Sequence, residues 1–277
     1  MTAETENLII VPRRHVGRII GAAAVCIALA AIVRAFAVGQ IEWDYVAEFL
    51  TVPAILTGLV NTIVMAILAM VLGITLGVVF AVMRLSANPV LSNTAIGYIW
   101  FFRAVPALLQ LLLWFNLALV FPTLGIPGLF AFKTVDVMTP FVAALLGLGI
   151  QQGAFTAEVV RAGLLSVDNG QYEAAQTLGM TRLQLLRRII MPQAMRVIVP
   201  PIGNEFIGMV KLTSLASVIQ FAEILHSAQN IYYANSRVIE LLIVAAIWYL
   251  VVVTVLSLIQ GRIEAYYARG VAAPAQR

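Results

Sequence analysis

Charge is scarce in this chain, and so are the side chains that most chemistry requires. Asp, Glu, Lys and Arg together make up 11% of the 277 residues, against 62% hydrophobic, where a soluble domain of this size is about a quarter charged and about half apolar. There is one cysteine, Cys26, inside an apolar run, which excludes a disulfide framework and a cysteine-based metal site. The two histidines, His15 and His226, lie on different segments and make a His-rich metal site improbable. The lysines are Lys133 and Lys211, preceded by Phe132 and Val210. A nucleotide-binding P-loop needs a lysine directly after a glycine, under a cage of backbone amides, so no P-loop is present. No nucleophile–base–orienter constellation stands out among the scattered carboxylates. The net charge of +4 is modest and argues for membrane orientation rather than for nucleic acid.

What the chain has is long apolar runs. About 20 apolar residues in a helix span a hydrocarbon core, and six such segments are expected at about 19–38, 54–83, 95–121, 140–163, 197–221 and 238–261. The first is too long for a signal-peptide core and is followed by others, so it reads as a retained helix. If the chain starts inside, twelve arginines fall on the inner side: Arg13, Arg14, Arg18, Arg84, Arg161, Arg182, Arg187, Arg188, Arg196, Arg262, Arg269 and Arg277. The outer loops keep Lys133 and Arg237, with Arg34 near the outer end of the first helix. This bias places both termini in the cytoplasm. The expectation is an all-α integral membrane protein with a polar cytoplasmic tail over 1–18, a first helix and outer loop over 19–50, a transmembrane core over 51–265 and a second tail over 266–277.

A polar stretch, GQYEAAQTLGM at 170–180, interrupts these runs in the longest inner connection. Asp168 and Asn169 suit the N-cap of a short helix over Tyr172–Leu178. Gly179 suits a left-handed C-terminal residue. Thr181 and Gln184 form a capping-box pattern opening a second short helix, and Pro192 should stop it or begin the next turn. From these residues alone three uses stay open: a basic surface lying on anionic lipid, a well-capped loop, or a docking knob for a soluble partner with Tyr172 as anchor and Ala174 and Ala175 allowing close approach.

The stretch EAAQTLGMTRLQLLRRIIMP resembles the EAA loop of ABC-importer permease subunits. Glu173, Ala174, Ala175, Gly179, Ile189 and Pro192 fall on the family spacing, with Met191 where the family has Leu. GAFTAEVVRAGLLSV before the loop and PPIGNEFIGMVKLTSL after it are similar to the polar-amino-acid branch, the histidine/glutamine permease type. FRAVPALLQLLLWF resembles that branch's Arg-Gly-Thr-Pro stretch, with Ala104 and Val105 for Gly and Thr; Leu212 stands where an acidic residue is more common. The likeness covers about residues 51–268. It implies a five-helix type I importer core plus one N-terminal helix, in a bacterial inner membrane, with 168–192 as a cytoplasmic coupling loop that docks on an ATPase through Tyr172, Glu173, Ala174, Ala175, Gly179 and Pro192. It further implies a second permease subunit (a second copy or a related chain), two ABC ATPase subunits that use ATP and Mg, an extracytoplasmic amino-acid-binding protein, and no cofactor in this chain.

Charged groups inside membrane helices are costly and normally face protein or water. Arg103 and Gln110, Gln151 and Glu158, and Asn204 and Lys211 are each seven residues apart, hence on one helix face if each helix is continuous. Gln152, Glu205 and Asn116 lie beside them. Arg103, Gln110, Gln152, Glu158, Asn204, Glu205 and Lys211 are therefore candidates for a substrate path, against the alternative that they hold helices together. Pro200, Pro201 and Gly203 are expected to break the fifth helix, as a tolerated kink or as a hinge. An ion-coupled secondary transporter is the competing function, but the inverted halves common in such folds are not apparent, and it leaves the polar segment without a role. A membrane enzyme is the third.

Overall fold

The computed structural model describes residues 16–126 and 130–268. The expected tails over 1–18 and 266–277 fall outside these residues up to residue 15 and from residue 269, as do Arg13, Arg14, His15, Arg269 and Arg277.

The first helix, α1 (Val16–Val38), is a continuous apolar span of its own. The second unit starts at Asp44, one residue into the short α2 (Trp43–Phe49), and holds the helices after it. Its spans are α3 (Pro53–Arg84), the pair α4 (Pro89–Ala104) and α5 (Ala107–Phe115), α7 (Pro140–Leu165), α10 (Met191–Leu212) with its flanking turns, and α12 (Val238–Tyr267). Among the described residues five helices are long and apolar enough to cross a membrane, or six if the bent pair α4–α5 counts as one.

Small residues set the packing. Thirteen of the 26 residues of α7 are buried, against five of 30 in α12, so α7 is central and α12 peripheral. A β-carbon on Gly73 of α3 would come within 2.6 Å of Gln152 Cγ, and one on Gly77 equally close to the Thr156 side chain. The Gly73-xxx-Gly77 ridge thus lets α3 and α7 touch backbone to backbone, as membrane helices do where lipid removes the hydrophobic driving force between them. Around Met65, Ala66, Leu111, Leu148 and Met209 these helices build the main apolar core.

Two expectations are corrected, and one left open is resolved. The helix expected over 95–121 is two helices meeting at 101°. Val105 is extended (φ −82°, ψ 128°), the conformation that a following proline imposes, and Pro106 supplies no N–H to continue the ladder. Conversely, Pro200 and Pro201 do not end α10, which runs through both to Leu212. The Pro200 carbonyl accepts a hydrogen bond from Gln260 Nε2 of α12 at 2.8 Å, which ties the proline-containing stretch to the neighbouring helix. Of the two outcomes expected at Pro192 the second holds: it lies in the first turn of α10, into which α9 (Arg182–Leu185) passes directly through a π-turn, Leu186–Ile190.

The connection after α5 also contains structure that the apolar pattern did not suggest. An antiparallel pair, β1 (Thr123–Ile126) and β2 (Phe130–Lys133), with Thr123 opposite Lys133, leads into the single turn α6 (Thr134–Val137). After α10 come a 3₁₀ turn (Thr213–Ile219) and α11 (Ile224–Asn235).

Candidate functional site: the capped elbow and the polar cluster on helix α10

The polar segment folds as its residues direct. Asp168 Oδ1 accepts from Gly170 N at 2.6 Å and opens α8 (Asn169–Thr177). At its end Gly179 is left-handed (φ 69°). Gly179 N donates to Gln176 O at 2.9 Å and Met180 N to Ala175 O at 3.1 Å, the paired bonds of a Schellman turn. Two residues on, Thr181 Oγ1 accepts from Gln184 N at 3.3 Å while Gln184 Oε1 accepts from Thr181 N at 2.9 Å, closing the capping box. Both sides of the elbow therefore have their exposed backbone groups met within the segment.

The segment has an inward and an outward face. Ala175 is buried with Ala81, Val160, Val167, Leu185, Ile190, Ala194 and Ile198, and Tyr172 packs on the same cluster. Of the residues expected to dock on a partner, Ala175 is buried against its own chain and Tyr172 half-buried on the same cluster. Glu173, Ala174, Gly179 and Pro192 face outward. Beside them Leu178 is 79% and Leu183 62% exposed, two large apolar side chains that sequence reasoning missed. The signal was present, since both lie at positions the anchoring spacing leaves free.

On α10, Glu205 accepts from Gln152 Nε2 at 2.7 Å and from Thr156 Oγ1 at 3.1 Å, both on α7. The Arg103 guanidinium lies over the Phe155 ring, 5.3 Å from its centroid, and acts electrostatically on the same carboxylate. Gln152 and Glu205 are therefore brought together, with Thr156 as an unanticipated third member, while Arg103 makes no ion pair with the carboxylate among the described residues. The other candidates go elsewhere. Gln110 is buried and donates to Phe102 O (3.1 Å) and Val105 O (2.9 Å), satisfying carbonyls freed by the helix break. That break separates it from Arg103, so the seven-residue spacing does not place them on one face. Glu158 pairs with Arg161 at 2.7 Å. Asn204 Nδ2 donates to Glu264 Oε1 of α12 at 3.1 Å, and Lys211 is exposed.

A more deeply buried carboxylate lies beyond the far end of α10. Glu223 has no exposed surface and caps α11, accepting from Leu225 N (2.8 Å), His226 N (2.6 Å) and the Tyr249 hydroxyl (2.7 Å). Burial pushes its carboxyl above the usual range, while these bonds pull it down. Nothing local in the sequence distinguishes it from an ordinary loop acid.

Comparison with known proteins gives these features a family. The chain is 37% identical over 276 residues to the arginine transport system permease protein of Corynebacterium glutamicum, covering 97% of this chain and 86% of that protein. It is 31% identical over 224 residues to the glutamine transport system permease protein of Escherichia coli, covering 80% and 97%. The crystal structure of an amino acid ABC transporter with histidines matches with a TM-score of 0.71 at 33% identity, over 82% of this chain and 99% of that one. An inward-facing structure of the MetNI methionine ABC transporter shares the fold, with a TM-score of 0.59 at 21% identity. Residues 73–268 match the family model described as the binding-protein-dependent transport system inner membrane component, and the chain belongs to that family.

Proposed function

We propose that this chain is the permease subunit of an ATP-driven amino-acid importer, with the 168–192 elbow as its coupling element. The observation that carries this is the elbow's construction. Two anchors, Tyr172 and Ala175, hold α8 to the bundle, two capping motifs fix its turn, and Glu173, Ala174, Leu178 and Leu183 are left outward. A lipid-facing loop has no use for an exposed acid on a rigid turn, whereas a cleft in a soluble partner does.

In this reading residues 51–265 form the transmembrane core, and the elbow and both termini are cytoplasmic. Two ATPase subunits bind there and use ATP and Mg. A second permease subunit, a copy or a related chain, completes the path, and an extracytoplasmic amino-acid-binding protein delivers substrate. The nature of the relatives supports the amino-acid class: an arginine and a glutamine permease. The cluster of Gln152, Thr156 and Glu205, with Arg103 acting on it electrostatically, offers both charge signs and neutral donors, which a zwitterion requires. Nucleotide-driven closure would pull the elbow and, through the uninterrupted α9–α10 rod, move Glu205.

The test is a pull-down of tagged permease from detergent, comparing wild type with Glu173→Arg, followed by substrate-stimulated ATP hydrolysis in liposomes. Wild type should retain an ATPase subunit and the charge reversal should lose it. A wild-type protein that purifies without an ATPase and moves amino acids down an ion gradient would refute the proposal.

A further inference from the structure

We propose that the groove between the ends of α10 and α12, at the end of the bundle that carries α8, binds the headgroup of an anionic phospholipid. The argument requires only that α12 crosses the membrane. A 30-residue helix is about 45 Å long, against a hydrocarbon core of about 30 Å, so the last turns of α12 stand at headgroup depth. There the structure has a cavity of about 420 Å³ lined by Pro192, Met195, Arg196, Tyr266 and Tyr267. A second groove of about 330 Å³ shares the two tyrosines and adds Arg262.

Charge and shape both favour a lipid. Arg196 and Arg262 are exposed, and neither has an acidic partner among the described residues. The nearby carboxylate of Glu264 is already engaged by Asn204 and Gln260. Guanidinium groups bind phosphate through two parallel N–H bonds, and tyrosine is enriched at this depth because its ring and hydroxyl suit the two sides of the interface. The Tyr266 and Tyr267 rings pack edge to face at 5.3 Å. Above them the flank of α12 is apolar and open: Leu258 is 67% and Ile259 50% exposed. A soluble subunit or a free phosphate would leave that flank unmatched. A phospholipid covers it with its acyl chains while its phosphate meets the arginines.

The experiment is native mass spectrometry of the full-length permease complex, purified with an equimolar mixture of phosphatidylglycerol and phosphatidylcholine. Wild type should retain phosphatidylglycerol selectively. A basic residue at the membrane surface is worth about fivefold in affinity for anionic lipid, so Arg196→Gln with Arg262→Gln should lower retention roughly thirtyfold. Arg196→Lys with Arg262→Lys should retain an intermediate amount. Removing the same charge from the elbow, by Arg187→Gln with Arg188→Gln, should leave it unchanged. Glycerol phosphate without acyl chains should not displace the lipid. Absence of selective retention by wild type, or equal loss in the elbow variant, would overturn the proposal. Displacement by glycerol phosphate would point to a free-phosphate site instead. Loss of a co-purifying subunit with lipid retained in the first variant would make the groove a protein contact.

Discussion

Gly179 offers a test in which two physical reasons for the same glycine predict opposite orders. Its φ of 69° is left-handed, a conformation that costs a residue with a β-carbon about 1–2 kcal/mol and that asparagine adopts far more readily. A β-carbon placed on it meets nothing within 4 Å, so within this chain the demand is purely one of backbone conformation. The turn at Gly179 rests on two main-chain bonds, from Gly179 N and Met180 N. Strain of that size is relieved by loosening the turn, and docking must then restore it. For Gly179→Ala the affinity for the ATPase should therefore fall roughly five- to thirtyfold, at about 1.4 kcal/mol per tenfold. For Gly179→Asn the loss should be under about twofold. If instead the partner's surface approaches Gly179 closely, size decides and the order reverses, with alanine tolerated and asparagine not. The assay is titration of purified ATPase subunit onto the permease variants in nanodiscs, with circular dichroism to confirm equal helicity. Alanine binding as tightly as wild type, or more tightly than asparagine, would refute the backbone argument.

Three further outcomes are expected. A β-carbon on Gly203 would collide with Gln260 Oε1, so Gly203→Ala should displace that side chain and lose its bonds to Pro200 O and Glu264 Oε1, about 1–3 kcal/mol; in unfolding measurements its combination with Gln260→Ala should cost clearly less than the sum, and additivity would contradict the contact. Burial raises the Glu223 carboxyl, so its contribution is full below the unfolded value, about 4.3, and is lost as pH rises through the folded one; the melting temperature of wild type relative to Glu223→Gln should accordingly fall as pH rises from that point, and parallel curves would exclude the effect. Deleting Arg187 from the π-turn should leave the buried stripe of α9–α10 aligned and raise thermal stability, because the turn accommodates one residue more than an α-helix needs; lower stability would show that the turn holds this packing together.

Much of the elbow was legible because its determinants are local. The Asp168 cap, the left-handed Gly179 and the Thr181–Gln184 box are each a contact within five residues, and each forms where the sequence places it. The spans were legible for a similar reason, since hydropathy is additive along the chain. The break at Val105-Pro106 and the persistence of α10 through Pro200-Pro201 were not, although both turn on proline. At Pro106 the preceding residue becomes extended and the chain bends. At Pro200 and Pro201 the rod continues, with Gln260 of α12 bonded to the Pro200 carbonyl from 60 residues away. Local sequence contains the proline but not the neighbouring helix packed against it. The same distinction explains the substrate-path candidates. Seven-residue spacing assumed straight helices, which held for α7 and failed where α4 meets α5.

The π-turn gives the proposed coupling a physical route. Leu185, Ile190, Ala194 and Ile198 share one buried cluster, yet the first step is five residues and the next two are four. In an ideal α-helix a residue five positions on points about 140° away, so only the wider turn over Leu186–Ile190 brings Leu185 onto the same face. The elbow's second arm is thereby packed against the bundle and continuous with α10. Glu205 lies 20 residues beyond Leu185 on this rod, a separation of about 30 Å. A helix transmits displacement along its axis because every residue is bonded to the next turn, while a π-turn, with its weaker geometry, is where such a rod yields. In the coupling role proposed for the elbow, movement imposed at α8 would pass through the Gly179 turn into the α9–α10 rod, whose π-turn lies between the elbow and Glu205. A turn that stiffens when one residue is removed would separate stability from coupling in a way that no substitution in the elbow itself can.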